Sequence, residues 1–270
     1  TGEVTVPGGS TVKDGDGTGS GTGKPYVTIG EQGGTVTPEG EVKIPEGGTA
    51  NVGGETDPTT GNTTGGTTIT GGEGGTTVTP KDDNTVDVGE GGSVKTDPET
   101  PGTGGDKGGT EITLPNGGNV NPDNGEITPD KDEDGKQIAG VDTNGDGKID
   151  TIVVLPGTGG GTTDGDKIKP NENGGVNVPE GTEIKGGGSE TDNGNGEGGA
   201  SVTLPEGGEI TPGGGVKPEG GNALTGEDKN GDGKPDTEVK LPTDNNGKPT
   251  GEIKGDGDGG LDVPGGTTIK

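Results

Sequence analysis

The stretch Ser201-Val-Thr-Leu-Pro-Glu-Gly-Gly208 decides how this sequence folds. Val202 and Leu204 alternate with polar residues, and this period of two is typical of a β-strand with one buried face. Pro205 cannot donate to a β-ladder and therefore ends the strand. The glycines that follow can adopt positive φ and reverse the chain. The segment predicts a short strand followed by a turn.

The same unit recurs along the chain, for example in Glu41-Val-Lys-Ile-Pro-Glu-Gly-Gly48 and Thr110-Glu-Ile-Thr-Leu-Pro-Asn-Gly-Gly118. Internal repetition on this scale is typical of repeat architectures. We expect one continuous array of about three blocks, 1–85, 86–175 and 176–260, with 261–270 starting a further block. Residues 3–13 and 261–270 occupy the same phase of the repeat, which predicts a piece of a longer array or a subunit that stacks end to end.

The composition predicts a thin core. The 270 residues include 71 Gly and 21 Pro, and hydrophobic residues make up only 17%, whereas an ordinary globular domain is roughly 45–50% apolar. We therefore predict an all-β fold, specifically a β-solenoid (β-helix) of about twelve short coils stacked ~4.8 Å apart. Two alternatives stay open. One is a chain of small β-hairpin or sandwich units, and the other is a disordered spacer, which the low hydrophobicity also favours.

Several functional classes are excluded by charge and residue type. The net charge is −29, whereas nucleic-acid binding needs clustered Lys or Arg. No apolar run approaches the ~18 residues of a membrane-spanning helix. His and Cys are absent, which removes the commonest general base and all thiol chemistry. We expect no enzyme, no nucleic-acid partner and no membrane insertion.

The strongest chemical signal is an acidic loop that starts at residue 142. Oxygen donors recur at alternate positions with Gly147 at the sixth, and this spacing wraps a short loop around Ca²⁺. Val153 stands at the twelfth position, where an EF-hand carries a bidentate Glu, so water or another segment must complete the shell. The candidate ligands are Asp142, Asn144, Asp146, Lys148 (through its carbonyl) and Asp150 in the first loop, Asp228, Asn230, Asp232, Lys234 and Asp236 in the second, and Asp130, Asp132 and Asp134 in a partial third.

These loops resemble the calcium loops of dockerin and thrombospondin type 3 modules. The Val-Pro-Gly-Gly and Leu-Pro-Glu-Gly-Gly units look like repeats of Gly/Thr-rich bacterial cell-surface proteins. The resemblance implies Ca²⁺ as a cofactor, an extracellular or cell-surface location, and a structural role in a fibre, stalk or surface layer. It implies copies of the chain, and cell wall or polysaccharide, as partners. The helix pairing of dockerins is absent, so cohesin binding is not implied.

The alternative function is a surface adhesin or an ice- or polysaccharide-binding solenoid. Pairs of threonines such as Thr35 and Thr37, or Thr77 and Thr79, would then face the ligand. Such a face requires Thr at the same position in most repeats, and that register distinguishes a binding surface from an ordinary polar strand face.

Overall fold

The computed structural model describes residues 3–12, 27–38, 40–52, 55–56, 63–64, 67–81, 85–96, 110–122, 124–143, 148–156, 167–171, 173–186, 201–226, 235–256 and 260–270. These residues form β-strands joined by turns, with one short 3₁₀-helix at Glu219–Gly221, so the all-β prediction is confirmed. The chain divides into two compact units, Thr1–Asp130 and Lys131–Lys270. The three sequence blocks stay a prediction, because similarity rather than spatial contact defines them.

Unit 1 consists of two antiparallel sheets and a small hairpin. Sheet 1A has the order β1-β4-β5-β10-β11-β14-β15, sheet 1B has the order β2-β3-β6-β9-β12-β13, and β7 pairs with β8. The strands are β1 (Val4–Val6), β2 (Thr11–Val12), β3 (Val27–Ile29), β4 (Gly34–Val36), β5 (Val42–Ile44), β6 (Thr49–Val52), β7 (Glu55–Thr56), β8 (Thr63–Thr64), β9 (Thr67–Thr70), β10 (Thr76–Pro80), β11 (Val86–Val88), β12 (Gly92–Thr96), β13 (Glu111–Leu114), β14 (Gly118–Val120) and β15 (Ile127–Pro129).

Unit 2 follows the same plan. Sheet 2B has the order β16-β17-β20-β21-β24-β25-β28, sheet 2A has the order β18-β19-β22-β23, and β26 pairs with β27. The strands are β16 (Gln137–Asp142), β17 (Thr151–Leu155), β18 (Lys169–Pro170), β19 (Val176–Val178), β20 (Thr182–Gly186), β21 (Ser201–Leu204), β22 (Gly208–Ile210), β23 (Val216–Pro218), β24 (Asn222–Thr225), β25 (Thr237–Lys240), β26 (Lys254–Gly255), β27 (Leu261–Asp262) and β28 (Thr268–Ile269).

The Pro/Gly turns carry the chain from one sheet to the other. Leu114 ends β13 in sheet 1B, the Gly117 amide donates to its carbonyl at 3.0 Å, and β14 then begins in sheet 1A. Gly117 has φ +82°, which a residue with a Cβ rarely adopts. In unit 1, after each crossing from β1 onward, the chain forms a hairpin within the sheet it has entered before it crosses back.

The core lies between the two sheets of each unit. Alternate residues are fully buried in both layers, as Val27 and Ile29 are in β3 and Val42 and Ile44 in β5. The corner between the layers is tight, because a Cβ added to Gly92 at the start of β12 would lie 2.6 Å from Val88 Cγ1 at the end of β11. Each strand therefore needs only two or three apolar side chains, which explains how 17% hydrophobic residues suffice.

The pairing does not follow the stacked coils of the predicted solenoid. Equivalent strands of successive coils run in the same direction and would pair in parallel, whereas every register that the structure describes is antiparallel. The physical reason is the connectivity: after each crossing the chain returns directly beside the strand it has just formed, and such a hairpin return can only be antiparallel. The alternative of hairpin units packed as a sandwich matches this pairing.

Candidate calcium-binding loops

The first acidic loop closes the β16–β17 hairpin. Asp142 is the last residue of β16 and is only 6% exposed, whereas Lys148 is exposed and Asp150 is half-buried. The Asp150 amide donates to the Val141 carbonyl at 3.1 Å, so the two ends of the loop are held together. Asn144 and Asp146 lie outside the described residues. The structure thus places Asp142 and Asp150 at the base of one loop, and their role as Ca²⁺ ligands stays a prediction.

The Asp150 carboxylate is the acceptor that organises this loop base. It accepts from the Thr143 amide at 3.1 Å, from Thr143 Oγ1 at 2.8 Å and from Thr151 Oγ1 at 3.1 Å. The Thr143 carbonyl in turn accepts from the Gly213 amide at 2.8 Å, which ties the loop to the β22–β23 hairpin. The ends of the loop are therefore fixed by protein donors, and a cation would have to be held mainly by the loop positions between them.

The hairpin that carries this loop is apolar on both faces. Ala139 and Val153 face the core, while Ile152 on the opposite face is only 6% exposed. Ile149 lies over Gly140, the cross-strand partner of Ile152, because a Cβ added to Gly140 would stand 2.5 Å from Ile149 Cδ1. This second apolar contact anchors the eighth position of the loop on the outer side of the sheet.

The second loop joins β24 to β25 and is built differently. Asp236 is exposed, and Pro235 replaces the isoleucine that anchors the first loop. Asp228, Asn230, Asp232 and Lys234 lie outside the described residues. The two sequence-equivalent loops therefore differ at the ninth position, where the Asp150 carboxylate is half-buried and Asp236 is exposed.

The partial third loop is a hairpin turn. The Asp132 amide donates to the Lys136 carbonyl at 2.8 Å, and Asp132 Oδ1 accepts from the Lys136 amide at 2.7 Å. Gly135 has φ +79°, so the segment is a three-residue loop with a left-handed glycine, a frequent β-hairpin connection. Asp244 and Lys248 make the same pair of contacts around Gly247. The Asp-x-Asp-Gly-Lys spacing is thus explained by turn chemistry, and its role in Ca²⁺ binding stays a prediction.

The structure reveals a set of polar side chains that bridge strands on the outer face of the 1A and 2A sheets. In each case the first residue of a hairpin loop reaches past the second strand to the segment paired with that strand on its other side. Lys81 Nζ contacts Asn119 Oδ1 at 2.5 Å, Asn171 Nδ2 contacts Glu209 Oε1 at 2.9 Å, and Thr211 Oγ1 contacts Glu252 Oε2 at 2.9 Å. Sequence reasoning missed these bridges because their partners lie 38 to 41 residues apart.

The contacts of Glu252 lower the pKa of its own carboxyl group. Burial favours the neutral form of Glu252, but hydrogen bonds from Lys254 and Thr211 favour the carboxylate, as do the charges of Lys254 and Lys217, and together they lower its pKa below the usual 4.5. Lys254 Nζ stands 2.8 Å from Glu252 Oε1. This carboxylate therefore stabilises the fold only while it is ionised.

An open polar cleft of about 730 Å³ lies on the outer face of sheet 2A. The turn at residues 246–249 forms one wall, and charged side chains of both signs line it, among them Glu206, Glu209, Lys217, Glu219 and Lys248. Carboxylates beside ammonium groups can hydrogen-bond hydroxyl groups of a polar ligand.

Within the described ranges no group of three or more Asp or Glu side chains is arranged to hold a metal ion. Nor does any helix there have the length and apolar character needed to cross a membrane. Comparison with protein-family models, with curated proteins and with solved structures finds no match to this chain.

Proposed function

We propose that this chain is a structural segment of an extracellular fibre, stalk or surface layer, and that Ca²⁺ stiffens it. The observation that carries the proposal is the regular alternation of hairpins between two thin sheets. Each additional hairpin adds two short strands to one sheet with the same turns and the same few apolar side chains, so an array can grow without a larger core. A charge of −29 keeps such an array hydrated and apart from like-charged neighbours.

Edge strands support the proposal that copies of the chain associate. Val4 of β1 and Ile269 of β28 are 59% and 60% exposed, and among the described strands each of these two has a neighbour on one side only. Exposed apolar residues on unpaired edges favour pairing with another strand. Their partners, Val36 and Val239, lie on the inner strands.

Sedimentation velocity tests this association. We expect the wild-type chain to form larger species with rising concentration, and Val4→Lys with Ile269→Lys to remain monomeric, because a charged edge opposes strand addition. Thr35→Lys, which adds the same charge on the inner strand β4 and not on an edge strand, is the control and should still associate. A wild-type chain that stays monomeric at every concentration would contradict the association.

Ca²⁺ binding is tested by thermal melting with and without a chelator. One loop filled at 10–100 times its Kd would contribute about 1.4–2.7 kcal/mol, so chelation should lower Tm by several degrees. Asp146→Ala with Asp232→Ala should remove most of that response, and Asp262→Ala, outside the three loops, should preserve it. An unchanged Tm on chelation, together with no heat of binding in Ca²⁺ titration calorimetry, would remove the metal from the proposal.

A second candidate function rests on the outer face of sheet 1B. The registers align Thr11, Thr28 and Thr68 with Asn51 in one rank. They align Thr49, Thr70, Ser93 and Thr113 in a second rank. Hydroxyls would repeat at about 4.8 Å across the strands and about 6.7 Å along them, a spacing suited to ice or a polysaccharide. Lys95 and Glu111 interrupt the first rank.

Ice growth and polysaccharide binding distinguish this second function. Inhibition of ice recrystallisation, or retention on a polysaccharide column, should be lost in Thr70→Lys and kept in Thr35→Lys, which places the same charge on sheet 1A. Failure of wild-type protein in both assays would leave the structural role as the only proposal.

A further inference from the structure

An amine, a primary amide and a carboxylate meet on the outer face of sheet 1A. Lys81 directly follows β10, Asp87 lies in β11, and Asn119 in β14 is the cross-strand partner of Asp87. Lys81 Nζ stands 3.0 Å from Asp87 Oδ1 and 2.5 Å from Asn119 Oδ1. Because a C=O bond is about 1.23 Å long, Asn119 Cγ lies no more than about 3.7 Å from that nitrogen.

We propose that Lys81 and Asn119 form an intramolecular isopeptide bond, with Asp87 as the group that transfers protons. The Nζ–Cγ bond forms and the Cγ–Nδ2 bond breaks. Two of the three protons of the Lys81 ammonium leave with Nδ2, as ammonium, and the third remains on the new amide nitrogen. No electrons are gained or lost, so the reaction requires neither an oxidant nor a cofactor.

Asp87 is placed to carry both protons. Its carboxylate first accepts a proton from Lys81, which frees the lone pair on Nζ for attack on Asn119 Cγ. Asp87 then returns that proton to Nδ2 of the tetrahedral intermediate. It next accepts the second proton from Nζ, which is now bonded to Cγ, and passes this proton to Nδ2 as well. At the end of the reaction Asp87 is again a carboxylate, so this residue acts as a catalytic acid and base.

Asp130 lies close enough to this set for its charge to interact with those of Asp87 and Lys81. The side chains of Lys81 and Asp87 are 40% and 41% exposed, so water also reaches them. We therefore expect a slow reaction that relies on the close approach of amine and amide, for which one turnover per molecule is enough.

In unit 2 an asparagine, Asn171, stands at the place of the reactive Lys81. Asn171, Asn177 and Glu209 occupy the places of Lys81, Asp87 and Asn119 relative to the hairpin and the third strand. Asn171 Nδ2 donates to Glu209 Oε1 at 2.9 Å, but an amide nitrogen does not attack a carboxylate. The same architecture thus provides a non-reactive internal comparison. In unit 1 the bond would join β10 to β14 across β11 and prevent these strands from separating.

Peptide mapping tests the bond. The full chain is denatured and digested with trypsin, which cuts after Lys. We expect peptide 44–95, left uncut at the modified Lys81, joined to peptide 108–131 with the loss of one ammonia. Detection of the joined peptides is the required evidence. A loss of ammonia from the intact mass is not sufficient, because an Asn-Gly pair such as Asn116-Gly117 can also lose ammonia by cyclising on itself.

Three variants complete the test. Lys81→Arg, which keeps the charge, should abolish the joined peptide, and Asp87→Asn should abolish it or slow its formation at least tenfold. Lys43→Arg is the matched control, since Lys43 lies on the same face but pairs with Glu3 at 2.7 Å, and it should leave the bond intact. Complete recovery of peptides 44–81 and 108–131 as separate species from aged wild-type protein would overturn the proposal. Equal formation in Asp87→Asn would overturn the role of Asp87.

Discussion

Replacing Asp150 with Ala tests whether this carboxylate holds the first acidic loop together. The substitution removes the acceptor of the Thr143 amide, the Thr143 hydroxyl and the Thr151 hydroxyl. Thr143 is 8% exposed and Thr151 is 4% exposed. Water therefore has little access to the donors that lose their acceptor. These donors stay without a hydrogen-bond partner in the folded state, which is destabilised as a result.

The size of the effect follows from those donors. A buried group left without its hydrogen bond costs about 1–3 kcal/mol, and the two hydroxyls can rotate to recover part of this. We expect Asp150→Ala to lose about 2–4 kcal/mol in the free energy of unfolding. Since 1 kcal/mol shifts Tm by roughly 2–4 °C in a protein of this size, Tm should fall by about 4–16 °C.

Denaturant and thermal unfolding in the presence of a chelator provide the assay, so that any bound cation is removed from the comparison. Asp236→Ala is the matched control, because it changes the same loop position in the second hairpin, where the side chain is exposed, and it should cost about 0.5 kcal/mol or less. A double-mutant cycle with Thr143→Val should give a coupling of about 0.5–3 kcal/mol. Equal losses for Asp150→Ala and Asp236→Ala would refute the reasoning.

Two further predictions concern acidity and turn geometry. The folded state lowers the pKa of Glu252, so the ionised side chain stabilises the protein above the unfolded-state pKa, and this effect is lost as pH falls through the folded-state pKa. Glu252→Gln should therefore be less stable than wild type at pH 7 and equally stable at pH 2. Urea unfolding at the two pH values checks this. Gly72→Ala should destabilise the protein by at least about 2 kcal/mol, since the new Cβ would overlap the Gly91 carbonyl oxygen. Gly265→Ala is the control: its new Cβ has open space around it, so Tm should stay within a degree or two of wild type. Thermal melts that give the same Tm for both variants would contradict the close packing at Gly72.

The strands and turns were predictable because their signals are local. Alternation in segments such as 201–204 identifies the buried face, and Pro followed by Gly identifies where each strand stops. The sheet to which a strand belongs was not predictable in this way. The same Pro/Gly turn suits a corner between two sheets and a corner of a coil, and only the antiparallel registers distinguish them.

In the candidate site, too, part of the arrangement was predictable from local sequence and part was not. The spacing of Asp142 and Asp150 predicted that both lie at one loop, and the structure places them at its base. The similar spacing of Asp132 and Asp134 lies in a hairpin turn, in which the Asp132 carboxylate caps its own loop by accepting from the backbone amide four residues later, and Ca²⁺ binding there stays a prediction. Ligand spacing and turn chemistry use the same residue types, so a sequence pattern alone does not separate them.

The sequence by itself determined a thin all-β fold, its strand positions, its turn residues and its strongly acidic character, since alternation, proline, glycine and charge act within a few residues of each other. Only the tertiary structure decided that hairpins alternate between two sheets, that Asp150 is enclosed by threonine donors while Asp236 faces water, and that Lys81 meets Asn119 across an intervening strand. The physical reason is that cross-strand partners are selected by packing between segments about 40 residues apart, and such packing leaves no local trace in the sequence.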